Sequence, residues 1–140
     1  MLRIGCAALA LVLLALPAAA DQTKSPADAK AYIVSPKDGD TVEKTFVVIF
    51  GLKGMGVAPA GVEKEGTGHH HLLINTKLEG DALKEPIIAD EKHVHFGKGQ
   101  TETKVTLPPG KHTLQMMVGD HNHIPHDPPV MSEVITVTVK

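Results

Sequence analysis

The chain has 140 residues, a length for one domain, and its 14 basic and 16 acidic side chains leave a formal charge of −2 with histidine neutral. That balance builds no basic surface for nucleic acid or for an anionic membrane. With no tryptophan, one tyrosine and three phenylalanines there is no aromatic platform for sugars, and the nine histidines become the feature to explain.

Residues 1–20 read as a secretory signal peptide. Arg3 supplies the positive start, 4–16 are continuously apolar, and Pro17-Ala18-Ala19-Ala20 before Asp21 is a small-residue cleavage site. The apolar stretch is too short for a membrane span. Cleavage after Ala20 predicts a periplasmic or secreted protein with no transmembrane segment in its mature chain. Cys6, the only cysteine, leaves with the signal, so the mature domain depends on packing, strand pairing or a bound metal.

Polar residues 21–30, with Ser25-Pro26, read as a flexible leader, and 31–140 as a single domain. A short strand at 31–34 ends in the turn Ser35-Pro36-Lys37-Asp38-Gly39-Asp40. Residues 45–52, rich in β-branched and aromatic side chains, predict a buried strand. Residues 53–68 form a glycine-rich loop whose 54–61 part is apolar. A strand follows at 69–75, then a mixed stretch with a helical turn near 81–84 and a weak fourth strand, whose connection to the next strand carries His93 and His95. Thr101, Thr103, Val105 and Leu107 alternate with polar neighbours, as in a half-buried strand. Pro108-Pro109-Gly110 turns the chain into a strand at 111–119, a proline-stiffened loop follows, and 132–139 is the last strand. Six or seven short strands separated by turns predict an all-β fold, an antiparallel immunoglobulin-like β-sandwich. That topology carries the loops holding His69 to His71, His93 with His95, and His121 to His126 to one pole, with Met55 beside them. His112 alone falls at the other end.

Strand alternation places His69 and His71 on one face and His70 on the other, with Leu72 and Ile74. His93-Val94-His95 repeats the spacing. His121, His123 and His126 lie in the loop around Pro125, where Asp120 or Asp127 would orient a histidine through its second ring nitrogen. His112, just after the proline turn, reads as a structural residue of the corner. All-imidazole sites suit copper and zinc. Without a thiolate the usual blue-copper site is excluded, and no acidic loop offers calcium an oxygen cage. Export and the Met55 thioether favour copper over zinc.

The run His93-Val94-His95-Phe96-Gly97 resembles the copper-ligand strand of copper–zinc superoxide dismutases over those few residues, although their disulfide cannot form here. A longer resemblance rests on Gly68-His69-His70-His71-Leu72-Leu73-Ile74, on His95-Phe96-Gly97-Lys98-Gly99-Gln100-Thr101-Glu102, on Pro109-Gly110-Lys111-His112-Thr113-Leu114-Gln115, and on Gly119-Asp120 with His123-Ile124-Pro125-His126-Asp127-Pro128-Pro129-Val130. These motifs resemble a family of exported bacterial domains catalogued as domain of unknown function 4399. The resemblance implies a small secreted β domain and brings no established activity. It draws attention to the positions of His70, His71, His95, His112, His123 and His126.

These readings converge on an exported metal-binding protein that holds copper, or alternatively zinc, for delivery, buffering or resistance. The expected ligands are His70, His71, His95, His123 and His126. The alternative is an envelope interaction module that docks another envelope protein through the apolar 54–61 loop, its histidines structural or pH-sensing. A metal-dependent enzyme ranks third, since no carboxylate is singled out as a base.

Overall fold

Large apolar side chains at every second position build two sheets that share one core. The structure, a computed structural model, describes residues 21–140, so the expected signal peptide lies outside the described residues. In chain order the strands are β1 (Lys30–Ser35), β2 (Thr41–Val42), β3 (Thr45–Lys53), β4 (Gly56–Val57), β5 (Thr67–Ile74), β6 (His93–His95), β7 (Glu102–Thr106), β8 (Gly110–Gly119) and β9 (Ile135–Val139), with one 3-10 turn at Gly80–Lys84. One sheet has three strands in the order β1-β3-β7. The other has six, in the order β2-β9-β8-β5-β4 with β6 also on β5. The expected all-β class is therefore observed. No helix of the described residues is long and apolar enough to cross a membrane.

Ala31, Val48, Phe50 and Val105 from the first sheet meet Leu72, Ile74, Leu114, Met116, Val118 and Val137 from the second. The β5–β8 register pairs His70 with Val118, Leu72 with Met116 and Ile74 with Leu114, so these residues point into the core. By alternation His69, His71 and Leu73 point outward. The outer face is not bare. Leu73 and Met117 are buried there under Ile87, with Leu78, Leu83 and Met131 around them. Residues 75–92 thus fold back over the sheet, and β5 is covered on both sides, like a strand of a doubly packed sheet.

Three local readings change. His93–His95, expected in the connection after a weak fourth strand, themselves form β6, an edge strand antiparallel to β5 that sets His95 opposite His71. The last strand begins at Ile135 rather than 132, because the segment before it is held along β8. Ser132 donates its N–H to the Met116 carbonyl and accepts the Met116 N–H on Oγ, both at 2.9 Å. The leader, expected to be flexible, is fastened beside 125–128. Asp127 N donates to Thr23 O and Ser25 N to Asp127 O. Gln22 Nε2 donates to the carbonyls of Leu83 and Pro125.

Candidate metal centre

Four imidazoles meet on the outer face of the larger sheet. His69 and His71 of β5 lie with ring centroids 4.8 Å apart. The β5–β6 register brings His95 to 5.1 Å from His71 and 5.0 Å from His69. His123, from the loop after β8, completes the group at 5.0 Å from His69, 4.8 Å from His95 and 6.2 Å from His71. Ligand atoms of His69, His95 and His123 lie within 4.8 Å of one another, and these three could hold a metal ion. A cleft of about 220 Å³ lined by Pro86, Ile87, Ile88 and Ala89 opens onto His95 and His123.

Local chemistry builds this arrangement. His123 has φ of 68°, a left-handed conformation costing an L residue roughly 1–2 kcal/mol. Asp120, almost fully buried, holds the chain there. Its Oδ1 accepts the N–H groups of Asn122 and Ile124 at 2.9 and 3.0 Å, and its Oδ2 accepts the Thr23 hydroxyl at 2.7 Å. The Asp120 carbonyl accepts the His123 N–H, and the His123 carbonyl accepts Ile87 N–H from the covering segment. Two glycines make room for rings. A Cβ on Gly97 would fall 2.3 Å from His95 Cε1, and one on Gly119 would fall 2.8 Å from His71 Cε1.

Both ring nitrogens of His69, both of His71 and Nε2 of His95 are buried without a hydrogen-bond partner. Burial drives the rings to the neutral form. It pushes His69 down to about 4, with repulsion from His123 and His95 adding to the effect and the Asp120 carboxylate opposing it. Burial pushes His71 down to about 3, reinforced by His69, His95 and His123. His95 is lowered by burial and by His123. Neutral imidazoles offer the lone pairs that a metal ion needs.

The same shifts set an acid sensitivity. Between the ordinary value of 6.5 and the lowered ones the native state binds fewer protons than the unfolded chain, so its stability falls as pH falls. The metal-free protein is expected to lose up to about 1.4 kcal/mol per pH unit per histidine below that point. Chemical denaturation at pH 7 and pH 5 reads this directly, and equal stabilities would contradict it.

Of the expected ligands, His71, His95 and His123 lie in the cluster. His70 does not. It occupies the opposite face of β5, its ring 5.2 Å from Phe50 in the main core, because strand neighbours alternate. Its nitrogens too lack partners, and burial lowers its pKa, with the backbone of Gln100 pulling the other way. His126 is engaged elsewhere, with Nε2 3.2 Å from the Thr67 carbonyl and Nδ1 3.4 Å from that of Val118. His69 was missing from the expected set, although its spacing from His71 already marked it as a same-face partner. Asp127 orients no histidine: it pairs with Lys24 at the surface. Asp120 orients the loop rather than a ring. Met55 packs against the main core. His93 bonds to Asp90 at 2.8 Å and His121 to Asn122 at 2.9 Å. The expected meeting of eight histidines at one pole is thus a contact cluster of four. His112 is structural, its Nε2 donating to Pro108 O at 2.8 Å and its Nδ1 facing Asn75 Nδ2 at 2.9 Å.

Comparison with other proteins adds a family. A family model described as a domain of unknown function (DUF4399) matches residues 48–140, a span that includes all nine histidines. No protein of curated function matches the chain in sequence. Among solved structures, the endo-beta-1,4-mannanase from Thermotoga petrophila is similar at 16% identity and a TM-score of 0.45, over 81% of this chain. The match spans only 20% of that enzyme, and a likeness of this size carries no argument about activity.

Proposed function

Since the chain belongs to the DUF4399 family, whose description assigns no activity, function has to be read from the site, and we propose that this is an exported protein that holds copper or zinc at the imidazole cluster, for delivery, buffering or resistance. One observation carries the reading: five ring nitrogens in the cluster are buried with no partner. Each such group costs about 1–3 kcal/mol if nothing meets it. An ion coordinated through the rings converts part of that cost into binding. A purely structural role fits His112 and His126, whose nitrogens face protein groups, and does not fit His69, His71 or His95. The copper preference drawn from Met55 loses its support, since that side chain packs on the core. An immunoglobulin-like topology is supported by the strand orders, β1-β3-β7 against β9-β8-β5. Export rests on the signal-like first twenty residues.

The test is metal analysis of tag-free protein recovered from the producing cell envelope, followed by competition titration with Cu²⁺ and Zn²⁺. Stoichiometric binding tighter than about micromolar is expected, near −8 kcal/mol. A His69→Ala/His123→Ala double variant loses it, and the surface variant His93→Ala keeps it. Protein that takes up neither ion at that level would overturn the proposal.

A further inference from the structure

We infer that His71 is the fourth ligand, making the site a closed, tetrahedral four-imidazole centre matched to Zn²⁺ or Cu⁺ rather than to ions that prefer a square plane. The inference rests on the reading above, that the cluster holds a metal, and extends it from three ligands to four.

The argument uses ring centroids. A ring flip exchanges nitrogen and carbon positions but leaves the centroid almost in place, and flips are assigned from hydrogen bonds that this cluster does not offer. With a metal–nitrogen bond of about 2.0–2.1 Å, an ion sits roughly 3.2 Å from each imidazole centroid. Four such centroids at tetrahedral angles would be about 5.2 Å apart along all six edges. A square plane would instead give four edges of about 4.5 Å and two diagonals of about 6.4 Å. The observed separations are 4.8, 5.0, 5.0, 5.1 and 4.8 Å, with one stretched edge of 6.2 Å between His71 and His123. The second possible diagonal, His69 to His95, is only 5.0 Å, so the rings do not lie in a plane.

An independent observation concerns His71 itself. It is fully buried, and both of its nitrogens lack a partner. Its Cε1 is seated against Gly119, where a side chain would displace it, so the backbone is shaped to receive this ring. A hydrogen-bonded structural histidine would look like His112, and His71 does not.

Two consequences follow. Four protein ligands leave no position for a water nucleophile, as in structural zinc sites rather than catalytic ones. His69 and His71 are sealed while His95 and His123 line the cleft, so an incoming ligand meets those two first and exchange begins there.

X-ray absorption of the zinc-loaded wild-type protein counts the imidazoles, and visible spectra of the Co²⁺-loaded protein report coordination number through the strong bands of four-coordinate cobalt. Wild type is expected to show four imidazoles and strong cobalt bands. His71→Ala is expected to show three imidazoles and bands severalfold weaker, with affinity reduced by at least the roughly 10–100-fold that losing even an outer partner of a metal site costs. His93→Ala should match wild type. Offered Zn²⁺ and Ni²⁺ together, the protein takes zinc. A wild-type site that binds one ion through three imidazoles, a His71→Ala spectrum identical to wild type, or preferential loading with nickel would overturn the inference while leaving the three-histidine reading intact. No binding of zinc, cobalt or copper by wild type would overturn both. The wild-type count does not depend on whether the variant folds.

Discussion

Zn²⁺ supplied at about 100–1,000 times its dissociation constant is expected to stabilise the fold by about 3–4 kcal/mol, raising the thermal midpoint by roughly 10–15 °C for a domain of this size. The proposed ligands come from β5, β6 and the loop after β8, so no preformed site exists in the unfolded chain and the energy of binding there becomes folding energy. Any zinc taken up by the consecutive His69, His70 and His71 in the unfolded chain would keep the shift below the ideal value at high zinc. Differential scanning calorimetry with and without zinc measures the effect, and a chelator should return the midpoint to its starting value. The His69→Ala/His123→Ala variant should not respond. An unmoved wild-type midpoint, or a double variant that responds fully, would contradict the assignment of these ligands.

Much of this centre could be read from residue order, and the misreadings have physical causes. Alternation in 101–107 and the β-branched and aromatic residues of 45–52 mark strands with one face in the main core, whereas β8 has Met116 in one apolar cluster and Met117 in the other and shows no such alternation. The same rule separates His70 from His69 and His71. It cannot say which face of β5 looks outward, because Leu72 and Leu73 are both fully buried, one in each apolar cluster. A strand covered on both sides loses the polarity signal that identifies its exposed face. Which residue of the covering segment packs, and against what, is not legible in the sequence. Ile87 and Ile88 sit among turn-forming residues, and only the fold shows that Ile87 seals Leu73 and Met117 while Ile88 stays exposed beside the cleft. His123 and His126 are alike in sequence, three residues apart around a proline. The left-handed turn at His123 sends the first to the cluster, while His126 remains among the carbonyls of Thr67 and Val118. The leader looked free because its polar side chains have no periodic pattern. Its anchors are backbone groups of the distant 125–128 segment, to which composition is blind.

Asp120→Ala is expected to damage stability and metal binding together. It removes a carboxylate that is only 3% exposed and leaves the buried N–H of Ile124, and the partly buried N–H of Asn122 and hydroxyl of Thr23, without their acceptor. Hydrogen bonds to a charged group contribute about 1.5–3 kcal/mol each, and three that share one carboxylate are not additive, so a loss of roughly 3–5 kcal/mol is expected. Release of this turn also releases the left-handed backbone that aims His123, and the metal affinity should fall by about 10–100-fold, as for other groups that orient a ligand. A second effect has the same sign. The carboxylate favours positive charge at His69, so it favours a cation held there by neutral rings. Asp120→Asn separates the two contributions. Its amide oxygen can still accept from Asn122 and Ile124, and its amide nitrogen can donate to Thr23 Oγ1, so the turn survives with a loss of about 1–2 kcal/mol. Its affinity should then fall between wild type and alanine, by an amount that shrinks as salt screens the lost charge. Urea denaturation and zinc competition on the three proteins test both halves. An alanine variant that binds zinc as tightly as wild type would show that His123 is held by something other than this carboxylate. An asparagine variant as weak as alanine would assign the whole effect to charge.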